Sequence, residues 1–291
     1  MARGVGLAIV SAVMWGVSGA VAAGVFDVVS PAHVAQARSL IALVVLVPFA
    51  AWRRVLKPTG PLWKYGLLGL NLAVVNVTFY WALDLLGVGP GATIQFLGPI
   101  FVLVWMVLIR GASVRGLVWL AALGAVAGVA MVTKAWTFES SDVLGVAAGL
   151  AAAVTFAVYL LYGEYLADSF DPVQIATWGF VFSAVIWLVV LPPWTFPSDI
   201  GGSAWRDLII IGLMGTAIPF ILELSALSMV SSGIVGVVAT VEPAVGAVSA
   251  SILLSQSLDP VQWVGVAVVV LAVASVQRWG LPSAHPPTPI A

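Results

Sequence analysis

Glu223 and Glu242 are the carboxylates set well inside apolar runs of this chain, and Arg38 is the cation near the interior of one. A carboxyl in such surroundings can bind an ammonium group or carry a proton. A guanidinium there can hold a carboxylate, or its long stem can carry the charge back to an interface. Polar and aromatic residues recur around these three at helical spacing, which puts each set on one face. The sets are Ser11, Trp15 and Ser18; Asn76 and Tyr80, with Asp84 one turn further; Thr155, Tyr159 and Tyr162; and Thr216, Pro219 and Glu223. A lone Ser or Thr in an apolar run usually bonds to a neighbouring helix. A stripe mixing rings with amide groups points instead to a cavity wall, and Gln95 can join these four stripes there. Such a wall suits reversible binding of a small amphipathic solute.

Bond-making chemistry lacks its usual parts. There is no Cys, and His33 and His285 lie far apart at a helix entrance and in the tail. No Gly-rich phosphate loop and no Gly-x-Ser-x-Gly elbow occurs. The chain is therefore read as no enzyme, with no cofactor and no metal. Net charge is −1, which offers nothing to nucleic acid. A carrier of phosphorylated solutes would need several fixed cations, and Arg38 stands alone.

The elements that must position these groups follow from composition. Apolar residues make up 62% of the 291 residues and charged residues 8%. A soluble domain is about 25% charged, so the partner of most of this surface is a lipid bilayer. Continuous apolar runs of about 20 residues, without period-two alternation, predict membrane helices rather than barrel strands. Ten are predicted, over 4–23, 33–51, 64–83, 91–109, 116–133, 143–163, 173–191, 207–227, 233–254 and 261–279. The fold class is an all-α integral membrane protein. A Pro-rich tail, 281–291, is expected to be disordered. Arg3 and Ala20-Val21-Ala22 resemble a signal peptide, but the first run has a partner later in the chain, which marks it as a span.

With the N-terminus in the cytoplasm, Arg3, Arg53, Arg54, Lys57, Lys64, Arg110, Arg115 and Arg278 fall inside, and only Lys134 and Arg206 outside. The positive-inside rule then places both termini in the cytoplasm of a multi-pass inner-membrane protein.

The chain also repeats itself. At an offset of 141, Asp27, Pro31 and Ala35 coincide with Asp168, Pro172 and Ala176; at 144, Gly89, Pro99 and Trp119 coincide with Gly233, Pro243 and Trp263. The first offset pairs Trp15 with Phe156, and a slide of three pairs it with Tyr159. Five spans are an odd number, so the second half enters from the opposite side. The expected architecture is ten transmembrane helices as two inverted five-helix repeats, 1–140 and 141–280. Secondary transporters use it for alternating access, with the substrate near the midplane. Pro99, Pro219 and Pro243 each remove a backbone donor and can serve as bending points. Gly124-x-x-x-Gly128 and Gly145-x-x-x-Gly149 are read as close helix packing.

The stretch Ser232-Gly233…Val241-Glu242-Pro243…Leu253-Leu254…Gln262-Trp263-Val264-Gly265 resembles the EamA-type transporters of the drug/metabolite transporter superfamily. Trp15-Gly16 and Arg38 match that family's first repeat. Ser255-Gln256 departs from its frequent Gly-Glu. The resemblance covers about residues 4–279, and within the family it points toward the bacterial aromatic amino-acid exporters. It implies export of amino acids, aromatic ones included; the alternative is export of hydrophobic drugs through Glu223, and the carboxyls of Glu223 and Glu242 make protons the candidate coupling ion. Candidate substrate contacts are Trp15, Asn76, Tyr80, Gln95, Tyr159 and Glu223. Candidate structural or gating residues are Pro99, Pro219, Pro243, Glu242 and Arg38.

Overall fold

A computed structural model of the chain describes residues 2–86, 88–137, 143–197, 199–253 and 258–279. The tail 281–291 and Ser255-Gln256 lie outside the described residues. Among those residues the regular elements are all helical. They are α1 (Ala2–Ala23), α2 (Pro31–Trp52), α3 (Leu62–Leu86), α4 (Val88–Gln95), α5 (Gly98–Leu108), α6 (Gly116–Val132), α7 (Val143–Ala167), α8 (Pro172–Val190), α9 (Gly202–Gly212), a π-helical turn (Leu213–Ala217), α10 (Ile218–Leu227), α11 (Ser232–Ala239), α12 (Val241–Leu253) and α13 (Pro260–Trp279), with single 3₁₀ turns at Ala135–Thr137 and Pro193–Thr195.

Eight helical stretches are long and apolar enough to cross a membrane, and Gly116–Val132 and Pro260–Ser275 are shorter apolar helices. In hydrocarbon only a helix or a closed barrel satisfies every backbone group, so continuous apolar runs fold this way. Local signals set the starts. Ser30 and Asp171 cap α2 and α8 with side-chain acceptors, and each is followed by a proline at the first helical position. Large apolar side chains such as Val44, Leu120 and Val189 point outward.

Three predicted spans are interrupted. The run over 91–109 divides at Phe96-Leu97 into α4 and α5, and the run over 233–254 divides at Thr240 into α11 and α12. Pro99 and Pro243 stand in the first turn of the second piece, where a missing N–H costs least. The run over 207–227 carries the π turn just before Pro219.

Packing exchanges the leading helix of each half. Helix α1 lies against α10, α11 and α12, while α7 lies against α3, α4 and α5. Helices α2 and α8 pack together, and α6 runs along α13. The α6–α13 contact is backbone-close: a Cβ on Gly128 would stand 3.0 Å from the Gly265 oxygen, and one on Gly265 would stand 2.8 Å from the Gly128 oxygen. Gly145 and Gly149 likewise press on Leu86 and Ile94. Gly124 differs from the expectation, since nothing lies within 4 Å of its would-be Cβ; a spacing of four fixes a face but not what that face meets.

Candidate functional site

A cavity of about 50 Å³ lies between the halves. It is lined by Trp15, Arg38, Asn76, Gln95, Tyr159 and Glu242, with Val75, Phe79, Phe156 and Phe220 completing the wall. Seven helices from both halves contribute: α1, α2, α3, α4, α7, α10 and α12. Both members of two repeat pairs, Trp15 with Phe156 and Asn76 with Phe220, face it.

Arg38 is the centre of the polar wall. Its Nε donates to Thr216 Oγ1 at 2.8 Å, and its Nη1 donates to Asn76 Oδ1 and to Tyr80 Oη, each at 2.8 Å. Its Nη2 donates to the Gly215 carbonyl oxygen at 2.5 Å. Each acceptor is aimed by a further bond. Asn76 Nδ2 donates to Leu72 O, which turns Oδ1 toward the guanidinium. Thr216 donates its own proton to Ile211 O, which leaves a lone pair for Nε. The Gly215 oxygen is available because Pro219, four residues on, has no N–H to give it. Trp15 Nε1 shares that oxygen at 3.0 Å. The cation is 6% exposed, all four acceptors are neutral, and no ion pair involves it among the described residues.

The apolar wall is a chain of rings. Phe220 meets Trp15 at 5.1 Å, Tyr159 at 5.4 Å and Phe180 at 5.0 Å, all edge-to-face. Phe156 stacks on Tyr159 at 6.3 Å. Such contacts fix ring orientation as well as burying area. Phe220 also stands 6.0 Å from the guanidinium carbon, and the Tyr80 ring 5.5 Å from it.

Glu242 lines the same cavity as Arg38, and among the described residues it makes no salt bridge with Arg38 and its carboxyl takes no hydrogen bond. Its backbone is pinned by α1. A Cβ at Gly16 would overlap the Glu242 carbonyl oxygen and stand 2.9 Å from Val245 Cβ.

Tyr80 and Glu223 are not in the lining. Tyr80 is behind the wall, bonded to Arg38. Glu223 is 1% exposed beside the Tyr159 hydroxyl, and among the described residues neither its Oε2 nor that hydroxyl has a partner at full hydrogen-bond geometry. Gln95 does line the cavity, and its buried Oε1 also has no partner among the described residues. Pro99 packs against Gly236, and the Pro219 carbonyl accepts from Ser11 at 3.0 Å. Ser11, Ser18, Thr155 and Tyr162 join helices or bond within their own. Asp84 is exposed.

Phe79, Phe156 and Phe220 were absent from the sequence-derived set. A signal for two of them existed, because the repeat offsets pair Phe156 with Trp15 and Phe220 with Asn76.

Both ends of the bundle are tied by polar contacts. At one end Arg110 Nη1 donates to Glu164 Oε2 at 2.6 Å, and Ser232 Oγ donates to the same oxygen at 2.9 Å. Gln174 there holds the 55–59 loop through Val55 O, Lys57 O and Thr59 Oγ1. At the other end Lys134 pairs with Asp259 at 2.6 Å. That contact, with the Gln262 N–H, holds the Asp259 carboxyl below the usual carboxylate range.

A family model described as "EamA-like transporter family" matches the chain twice, over residues 2–134 and 143–277. The threonine/homoserine exporter RhtA of Escherichia coli is 27% identical over 260 residues, covering 84% of this chain and 80% of the relative. An uncharacterized inner membrane transporter, YicL of Salmonella typhimurium, is 22% identical over 277 residues, covering 91% and 92%. A crystal structure of another protein, 18% identical, superposes with a TM-score of 0.81 over 96% of this chain and 98% of that one, which establishes likeness of fold.

Proposed function

The chain belongs to the EamA-like transporter family, and from that premise we propose that it is a secondary transporter exporting amino acids by alternating access. The observation that carries this reading is the cavity shared by both halves, which holds a caged guanidinium, a carboxyl and a wall of rings. In this proposal ten spans form two inverted five-helix repeats, and the exchange of α1 and α7 between halves supports it. Trp15, Asn76, Gln95 and Tyr159 touch substrate, joined by Arg38 and Glu242. Tyr80 supports Arg38 from behind. Pro99 and Pro243, at the breaks of two spans, are the bending points.

Binding pockets for drug-sized ligands measure about 300–1,000 Å³. At about 50 Å³ this cavity holds only a few waters, so it must widen on one side to admit solute and on the other to release it. The names of the RhtA relatives specify threonine and homoserine, which supports short hydroxylated side chains as the first substrates. The ring wall supports a second reading, in which aromatic amino acids are carried as well.

The test is counterflow in proteoliposomes with labelled L-threonine, L-homoserine, L-phenylalanine and L-tryptophan. Saturable exchange, competed by unlabelled amino acid and fastest for the two hydroxylated ones, is the expected result. No exchange of any of them would overturn the proposal.

Both termini are proposed to be cytoplasmic, with the loops at 53–61 and 109–115. Lys57 is exposed and the chain holds no Cys, so one can be introduced without background. Lys57→Cys should resist a membrane-impermeant maleimide on intact cells and react after permeabilisation. Reaction on intact cells would reverse the orientation.

A further inference from the structure

The cage around Arg38 differs from an ordinary buried ion pair. A guanidinium removed from water is costly unless a charge or a full set of acceptors meets it. A carboxylate would neutralise it, but here two amide-type oxygens and two hydroxyls hold it. These dipoles fix the guanidinium in place and leave its net charge. Four of its five N–H groups are spent on the cage, and a guanidinium carries five. The remaining one, on Nη2, belongs to a side chain that lines the cavity. Glu242 lines the same cavity and, among the described residues, makes no hydrogen bond through its carboxyl and no ion pair with Arg38.

We infer that Arg38 and Glu242 form a two-point clamp for a zwitterion, Arg38 taking the α-carboxylate of an amino acid and Glu242 its ammonium group. This deepens the transport reading above and rests on it. The carboxylate and ammonium of an α-amino acid flank a single carbon, so one small solute can reach both an Arg and a Glu that line one narrow cavity. A bound zwitterion satisfies both. An amine without a carboxylate leaves Arg38 uncompensated, and an acid without an amine leaves Glu242 uncompensated. The clamp therefore selects amino acids by their shared backbone, and the rings above it grade the side chains. It also assigns separate substrate contacts to two residues that the sequence grouped together as structural or gating.

Each lost charge-assisted bond should weaken competition by about 10- to 100-fold. The experiment is counterflow in proteoliposomes with the best-carried amino acid of the panel, competed by its own amino alcohol and by its own deaminated acid. For L-threonine these are threoninol and the corresponding dihydroxy acid. In the unaltered protein both analogues should compete about 10- to 100-fold less well than the amino acid. Arg38→Gln should erase that gap for the amino alcohol and keep it for the deaminated acid. Glu242→Gln should do the reverse. This crossed pattern is one that general damage to the fold does not produce. Arg38→Gln removes contacts to α3 and the π turn, so where it fails to fold, the unaltered protein's profile and Glu242→Gln still decide. Analogues that compete as well as the amino acid in the unaltered protein would overturn the clamp while leaving amino-acid transport standing. Absence of exchange for every amino acid would instead remove the transport reading itself.

Discussion

Gly16→Ala is expected to lower transport at least about tenfold and to reduce the melting temperature, while Gly6→Ala on the same helix leaves both unchanged. The two substitutions add the same methyl group to α1. At Gly6 that methyl meets nothing within 4 Å. At Gly16 it overlaps the Glu242 carbonyl oxygen and comes within 2.9 Å of Val245 Cβ and 3.0 Å of the Gly246 nitrogen. Backbone atoms cannot rotate out of the way as a side chain can, so α12 must move. Overpacking of this kind typically costs about 1–3 kcal/mol. The displaced backbone belongs to Glu242, so the shift passes directly to a cavity carboxyl. Purified variants checked by thermal unfolding and by counterflow would measure both effects. Normal transport by Gly16→Ala would mean that α1 and α12 do not approach this closely in the membrane.

Glu223→Met is expected to raise stability and to abolish accumulation driven by a proton gradient. Glu223 is buried with one oxygen unpartnered. An unsatisfied buried polar atom costs about 1–3 kcal/mol, and an apolar side chain of similar length removes that cost. A buried polar group that breaks the rules of a satisfied core is a candidate for function. Glu223 stands behind Tyr159, whose hydroxyl is also unpartnered and whose ring lines the cavity. We propose that this carboxyl exchanges a coupling proton during transport. Glu223→Gln keeps the shape but has no acidic proton, so it should lose gradient-driven accumulation and retain counterflow. A lower melting temperature for Glu223→Met, together with normal accumulation by Glu223→Gln, would assign Glu223 a structural role and make Glu242 the next candidate for coupling.

The stripe Thr216, Pro219 and Glu223 shows why a face read from spacing can fail. Those intervals assume an unbroken α-helix. The structure inserts a π turn over Leu213–Ala217. An extra residue in a turn rotates the remainder of the helix by about 100°. Thr216 consequently bonds to Arg38 while Glu223 turns behind the wall. The stripe of Asn76 and Tyr80 has no such interruption, and both residues meet the same guanidinium.

Pro219 was legible as a lost donor. Its consequence needed partners from elsewhere in the chain, because the freed Gly215 oxygen takes protons from Trp15 and Arg38, 200 and 177 residues away. Arg38 is the clearest case. From the sequence it was equally ready to pair with a carboxylate or to reach an interface, since its flexible stem allows both.

That this chain is helical, membrane-embedded and internally repeated was legible before any contact between helices was known. Each of these is written in local terms: continuous apolar runs that must satisfy their own backbone, proline and aspartate at loop starts, and an offset that aligns Pro99 with Pro243. Which polar groups share a cavity emerged from the packing of the helices. That depends on the rotation of each helix about its axis, on a one-residue π insertion and on glycine contacts that bring backbones together, and the apolar pattern of a span records none of them. Arg38, Asn76 and Gly215 belong to three helical stretches, and their meeting is a property of how those stretches cross.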